Sequence, residues 1–139
     1  MGLTFGRGAS RVIAAMMILA PLPLTHSMAA EVDSGKLLYL RYCASCHGNA
    51  GKGNGPLSRE LKVKVPDLTL LKSKYKGVYP MDQVMSSIDG TKAVRGHGER
   101  TMPVWGQVFR DEHANEKYVE LVALYKVKWI AEYIGTLQR

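Results

Sequence analysis

The sequence predicts a predominantly helical fold in a single domain, and three observations support this prediction. Residues 81–88 and 115–137 carry apolar side chains every three or four positions, the spacing of a helix with one buried face. Residues 61–65 alternate like a β-strand, but Pro66 follows directly, so we expect an extended connector there. Beyond its N-terminal leader the chain has about 110 residues and no internal repeat, which suits one hydrophobic core.

The elements follow one another along the chain with clear boundary residues. The first helix is expected over residues 33–46, with Asp33 or Ser34 as its cap. The further predicted helices are residues 57–62, 69–75, 81–88 and 115–137. Pro80 and Gly90 bound the third of these, since proline favours helix starts and glycine favours helix ends. Residues 91–113 are rich in glycine and are predicted to be irregular.

Residues 1–29 have the pattern of an export signal. Arg7 and Arg11 precede nine consecutive apolar residues, 12–20, and Ser27-Met28-Ala29 offers small residues for cleavage. The apolar run is shorter than the roughly 18–20 residues that a membrane span needs. We therefore expect cleavage after Ala29 or Ala30, a mature domain of residues 30–139 without a membrane span, and a periplasmic location.

The pentapeptide Cys43-Ala44-Ser45-Cys46-His47 is the most specific feature of the chain. The spacing C-x-x-C-H is typical of covalent c-type haem attachment, in which two thiols form thioether links to the porphyrin. The imidazole that follows is then directed at the iron, and histidine is a common first axial ligand. The motif predicts one covalently bound haem c, held by Cys43 and Cys46 and ligated by His47.

Three other uses of these residues compete with haem attachment. A thioredoxin-like redox motif would require a βαβ setting, which the flanking residues do not predict. A structural zinc site needs about four ligands, and the only later candidates, His97 and His113, are far apart in sequence. A disulfide between Cys43 and Cys46 would leave the adjacent histidine unexplained.

Met102 is the predicted second axial ligand. It lies 55 residues after His47, within a segment predicted to be irregular, so the intervening chain can wrap a haem and return to its other face. Pro103 stiffens the backbone beside it. A thioether ligand raises the reduction potential relative to a second imidazole.

Three other residues compete with Met102 for this position. Met81 and Met85 share a helical face with two aliphatic side chains, a pattern typical of core packing. His97 lies between two glycines in a predicted loop, where exposure to solvent is more usual.

The net charge is concentrated in one part of the chain. Without residues 1–29 the protein has 17 basic and 12 acidic residues, a net charge of +5. Residues 52–100 hold ten basic and five acidic residues, whereas residues 31–51 and 101–139 are each balanced. Such a field attracts oppositely charged surfaces, so we expect redox partner proteins with acidic docking surfaces. Nucleic acid is not an expected partner, because no aromatic residues are interleaved with the basic ones.

Taken together, these motifs resemble the class I monohaem c-type cytochromes, particularly small bacterial periplasmic ones, over most of the mature chain. Residues 102–106, Met-Pro-Val-Trp-Gly, are similar to the family's methionine-ligand segment. Gly35 and Tyr39, four apart, match its N-terminal helix, and Ile130 and Tyr133 match the answering pair on its last helix. The sequence Pro-Asp-Leu-Thr at 66–69 also recurs among such bacterial proteins.

The resemblance implies an all-α, cytochrome c-like fold of three to five helices around one haem, with crossing terminal helices. It implies a proline carbonyl that accepts the Nδ1 proton of the first ligand, for which Pro56 is the candidate. It also implies one-electron transfer between Fe(II) and Fe(III) rather than enzymatic catalysis, since both axial positions would be filled. A dedicated cytochrome subunit of a periplasmic dehydrogenase or oxidase is the alternative, and a gas-binding protein would require Met102 to leave the iron.

Overall fold

The computed structural model describes residues 1–2, 25–91 and 102–139, and the fold within these ranges is all-α. The described residues form six α-helices: α1 Thr25–Tyr42, α2 Ala44–His47, α3 Leu71–Lys74, α4 Met81–Asp89, α5 Trp105–Glu112 and α6 Val119–Thr136. Single 3-10 turns lie at Pro56–Arg59 and Leu68–Leu70. None of the described helices is both long enough and apolar enough to cross a membrane.

The crossing of α1 and α6 is the largest helix contact of the fold. Gly35 lies against the backbone of Trp129, where the carbonyl oxygen occupies the space that a Cβ atom would need. One turn later the ring of Tyr39, fully buried, packs on the ring of Tyr133 with a centroid separation of 5.3 Å. Ile130 is also fully buried at this crossing. The predicted pairing of the first and last helices is therefore confirmed.

Helix α1 begins before its predicted start. Asp33 and Ser34 lie inside the helix, and the Ser34 hydroxyl donates to the Ala30 carbonyl at 2.9 Å, so the prediction that either residue caps the helix is wrong. The predicted cleavage position at Ala29 or Ala30 also falls within α1. Cleavage there stays a prediction, and it would leave a mature chain that starts inside a helix.

Helix α5 was not expected, because residues 91–113 were predicted to be irregular. It places Phe109 fully inside the core and Gly106 against the end of α4, where a Cβ atom would collide with the Asp89 side chain. Arg110 closes the same contact with an ion pair to Asp89 at 3.4 Å. The helix thus depends on tertiary packing against α4 and α6 that glycine and proline content does not reveal.

The other elements agree closely with the sequence. Helix α4 begins after Pro80 and ends at Gly90, which adopts a left-handed conformation with φ of 88°. Helix α6 buries five aliphatic residues at helical spacing and spans most of the predicted segment: Ala123, Val127, Ile130, Ala131 and Ile134. The predicted helix at 57–62 is a shorter 3-10 turn, and no strand forms in the connector 61–65.

Candidate haem site

The cysteine–histidine motif lies where α1 ends and the single turn α2 begins. Cys43 joins the two helices and is buried, Cys46 is half-buried, and His47 is buried with 8% of its surface exposed. Amide-to-carbonyl bonds from His47 and Cys46 to Cys43 hold the turn, at 2.9 and 3.2 Å. The two thiols are not joined in a disulfide. One turn of helix therefore presents both sulfur atoms and the imidazole to the same side.

That side faces a crevice made of two adjoining cavities of about 220 and 200 Å³. Four residues line both cavities: Cys43, His47, Pro66 and Met102. The structure therefore brings all of the predicted haem-binding residues to one place, since Cys46 lines the first cavity. Their role as attachment points and ligands stays a prediction.

The rivals of Met102 lie elsewhere or outside the described residues. Met81 and Met85 pack against the hydrophobic core from α4, as the spacing predicted, and Met85 lines a separate cavity beside α5 and α6. His97 falls within residues 92–101, outside the part of the chain that the structure describes.

The imidazole of His47 has one nitrogen directed into the protein. Its Nδ1 atom is buried and has no partner at good hydrogen-bonding geometry among the described residues. Burial lowers the pKa of His47, and the carbonyl of Pro66 opposes this shift by favouring the protonated ring. The proline whose carbonyl lies beside the imidazole is therefore Pro66, and not the expected Pro56, which begins the 3-10 turn after the loop.

The glycine-rich loop after the motif explains why Pro66 reaches His47. Gly53 has φ of 73°, a left-handed conformation, and its amide donates to the His47 carbonyl at 2.8 Å. Its Cα lies so close to the backbone of Val65 that a Cβ atom would collide with the Val65 carbonyl. Only glycine satisfies both conditions without strain, and this close approach brings Val65 and Pro66 over the motif.

The lining of the crevice suits a large apolar plate. Most lining side chains are aliphatic, aromatic or sulfur-containing. In these surroundings, burial together with nearby Cys46 raises the pKa of the Cys43 thiol to about 12. Polar side chains in the second cavity include Tyr75, whose hydroxyl donates to Gln83 at 2.5 Å. An apolar slot flanked by an imidazole and a thioether is a chemically suitable site for haem.

Two aromatic residues of the site had no predicted role. Tyr42 and Trp105 both line the first cavity, and their rings meet edge to face with centroids 5.4 Å apart. Both stand next to recognised motifs, since Tyr42 precedes Cys43 and Trp105 lies in the methionine segment. Their positions next to these motifs were the only sequence features that could have indicated a role in the site. Their mutual contact depends on helix α5, which the sequence did not predict.

Exposed apolar and basic side chains alternate in the connector that contributes Leu61, Val63 and Lys64 to the lining of the first cavity. Leu61 and Val63 are 36% and 45% exposed, and Lys62 and Lys64 alternate with them along the connector. We call residues 61–64 the rim. A rim of this kind presents an apolar contact area within a positively charged border.

The alternative of a zinc site is not supported by the positions of its ligands. His113 lies at the end of α5, where its Nδ1 atom pairs with Glu116 at 2.5 Å, away from the two cysteines. Within the described ranges no three histidine, cysteine or acidic side chains lie together as a metal site would require.

Comparison with known protein families identifies the chain. Residues 30–118, more than half of the sequence, match the sequence model of the family described as cytochrome c oxidase, cbb3-type, subunit III. The chain therefore belongs to this family of c-type cytochromes, whose domain binds haem c and transfers electrons. Comparisons with curated proteins and with solved structures give no match.

Proposed function

We propose that this member of the cytochrome c family is an exported one-electron carrier with a single covalently bound haem. In this proposal Cys43 and Cys46 form the thioether links, His47 and Met102 are the axial ligands, and the protein catalyses no reaction of its own. When bound, the haem supplies an iron that accepts and releases one electron. Residues 1–29 would direct the chain to the periplasm and would be removed there.

The observation that carries the proposal is the convergence of four residues on one crevice. The motif and Met102 are separated by 55 positions in the sequence, yet Cys43, His47 and Met102 line both adjoining cavities. A flat cofactor that occupied the crevice would lie within reach of both the His47 imidazole and the Met102 thioether. One iron ligand would come from α2 and the other from the segment before α5, so the two segments would supply the two ligands of a His/Met-ligated haem.

The protein contributes orientation of the first ligand. The Pro66 carbonyl lies beside the buried His47 ring, so Nδ1 would keep its proton and donate it to this carbonyl. That tautomer leaves Nε2 free to bind metal, and such a partner also raises the basicity of the ligand.

The protein also limits the contact between the crevice and water. Val65, Leu68, Val84, Ile88 and Ile134 line the two cavities, and apolar walls of this kind lower the local dielectric around the iron. A site with few polar groups around the iron would rearrange little when its charge changes, which suits rapid electron transfer.

Partner recognition is assigned to the rim. Electrons would enter and leave through the mouth where Leu61 and Val63 are exposed, while Lys62 and Lys64 attract acidic partner surfaces. Attraction of this kind acts mainly on the association rate. Further exposed basic residues of the same region are Lys52, Arg59, Lys72, Lys74 and Lys76.

A dedicated subunit of a larger redox enzyme is the second candidate function. One observation favours it: four apolar side chains on the first half of α6 or directly before it are 47–60% exposed, namely Tyr118, Leu121, Leu124 and Tyr125. Such a face suits a lasting contact with another protein better than a brief one. A carrier should react with several partners, whereas a subunit should co-purify with one enzyme.

The test of the site uses the mature protein expressed with haem-attachment machinery. The mature protein should keep its colour through acid–acetone extraction, and its measured mass should exceed that of the polypeptide by the mass of one haem. The ferric form should show the weak long-wavelength band of sulfur-to-iron charge transfer, which Met102→Ala should abolish while lowering the potential. Met85→Ala is the matched control and should keep the band. Extraction of the colour would refute covalent attachment, and a band that survives Met102→Ala would refute the proposed ligand.

A further inference from the structure

Tyr42, which lines the first cavity, is joined to helix α5 through a hydrogen bond to one carboxylate. It is the last residue of α1, next to Cys43, and its hydroxyl lies 2.9 and 3.0 Å from the two carboxylate oxygens of Glu112. Glu112 is the last residue of α5 and also accepts a hydrogen bond from Lys126 of α6 at 3.2 Å. Three helices therefore meet at the Glu112 carboxylate.

The rings beneath this carboxylate pack as one group. Tyr42 meets Phe109 edge to face at a centroid distance of 5.1 Å and Trp105 at 5.4 Å. The Lys126 ammonium lies 5.1 Å from the Phe109 ring centroid, within the range of a cation–π contact. We call Tyr42, Glu112 and Lys126, with the two rings that they cover, the Tyr42 clamp.

The charge of Glu112 suits this arrangement. Burial raises the pKa of its carboxyl group, but the hydrogen bonds from Tyr42 and Lys126 outweigh burial, so the pKa lies below its usual value. The group is thus ionised at neutral pH and accepts charge-assisted bonds. These bonds are stronger than those between neutral partners.

The clamp joins the helix that leads into the cysteine–histidine motif to the helix that follows Met102. Tyr42 stands on the side of the motif, whereas Trp105 follows Met102 by three residues and opens α5. Tyr42 and Trp105 both line the cavity that Met102 lines. Any movement of α5 away from α1 would therefore stretch the bond between Tyr42 and Glu112 while it withdraws Met102.

We propose that Tyr42 is a positioning residue that, through Glu112 and Trp105, holds the Met102 segment against the crevice and so limits displacement of Met102 from the iron. This inference rests on the proposed function, in which Met102 is the second axial ligand. The Met102 segment is held by the hydrogen bond between the Tyr42 hydroxyl and the Glu112 carboxylate, and not by packing of the Tyr42 ring alone.

The experiment measures how fast imidazole displaces Met102 in the ferric haem protein. Tyr42→Phe keeps the ring contacts and removes the bond to Glu112. It should raise the displacement rate about tenfold or more, the range expected for one lost hydrogen bond to a charged group. Glu112→Gln should act in the same direction. Tyr79→Phe is the matched control, because it removes a hydroxyl bond to the Ala131 carbonyl at 2.6 Å, away from the clamp. The control should leave the displacement rate unchanged.

A second readout separates failure of the clamp from failure of the ligand assignment. In a Met102→Ala background, Tyr42→Phe should still increase hydrogen exchange of α5 amides, because the clamp holds α5 whether or not residue 102 binds iron. An unchanged displacement rate and unchanged exchange in Tyr42→Phe and Glu112→Gln would overturn the clamp. Absence of the sulfur-to-iron band in the wild type, with faster exchange in Tyr42→Phe, would instead overturn the ligation by Met102 and with it the effect on displacement.

Discussion

Removing the hydroxyl of Tyr39 tests whether the crossing of α1 and α6 also supports the haem motif. The ring is fully buried against Tyr133, and its hydroxyl donates to the carbonyl of Gly48, directly after His47, at 2.7 Å. Tyr39→Phe keeps the ring and deletes this bond. The change therefore isolates one hydrogen bond between the helix crossing and the loop that follows the motif.

The structure limits how large the effect should be. The Gly48 carbonyl also accepts the Gly51 amide at 3.0 Å, so the substitution leaves it with one partner rather than none. The free energy of unfolding should fall by about 1–1.5 kcal/mol, the cost of one buried hydrogen bond, and not by the larger cost of an orphaned group. Tyr39→Ala also removes the buried ring and should cost about 3–5 kcal/mol.

Urea denaturation of the haem-loaded protein measures both values. Tyr125→Phe is the control, since this tyrosine is 47% exposed and its ring contacts only Trp129 in the ring pairs of the described residues. The control should change stability by less than about 0.5 kcal/mol. If Tyr39→Phe is no more destabilising than the control, or if Tyr39→Ala costs below about 1 kcal/mol, the hydroxyl bond and the crossing are not as described.

Three further outcomes are expected. Gly106→Ala should lower the unfolding free energy by about 1–3 kcal/mol in urea denaturation, because the new methyl group collides with Asp89; an unchanged midpoint would contradict this contact. Replacing Lys62 and Lys64 by glutamine should slow electron transfer with an acidic partner and flatten its salt dependence in stopped-flow measurements, since screening acts over about 10 Å at 0.1 M salt; a rate insensitive to salt in the wild type would remove the role of the rim. Burial raises the pKa of Tyr79, so the stability that its neutral form contributes is present below its ordinary pKa of 10.0 and is lost as the pH rises further. In denaturation curves above pH 10.0, Tyr79→Phe should therefore lose less stability than the wild type. Identical pH profiles of the two proteins would refute this.

The parts of the fold that were predictable are those with local signals. Helix α4 has a proline before its start and a glycine after its end, and α6 repeats apolar residues over five turns, so backbone chemistry and periodicity define both. The partner residues of the α1–α6 crossing followed from the resemblance. Their contact is confirmed, because Gly35 lies against the backbone of Trp129 and the ring of Tyr39 packs on that of Tyr133.

The parts that were missed depend on contacts between distant residues. Helix α5 is eight residues long and contains a glycine that marks close packing on α4 instead of a break. The position of Pro66, rather than the expected Pro56, beside His47 depends on left-handed conformations at glycines in the loop from Gly48 to Gly53, and no local sequence pattern gives the path of this loop. Tyr42 and Glu112 are 70 positions apart, so their bond could be recognised only after α5 and α1 were placed.

The segments that carry the two proposed ligands adjoin helices α1 and α5, which both pack on α6. Helix α1, which ends at the motif, is pinned to α6 by Gly35 and Tyr39, while α5, which follows Met102, packs on α6 beside α4. Both segments that carry a proposed ligand are thus positioned by contacts with α6. The Tyr42 clamp adds a further connection between them, because Lys126 of α6 donates to Glu112. The basic residues of the connection can then serve partner recognition without moving the ligands. It follows that substitutions buried in α6, such as at Ile130, should disturb stability and ligand geometry together, whereas charge changes in the rim should leave the reduction potential nearly unchanged.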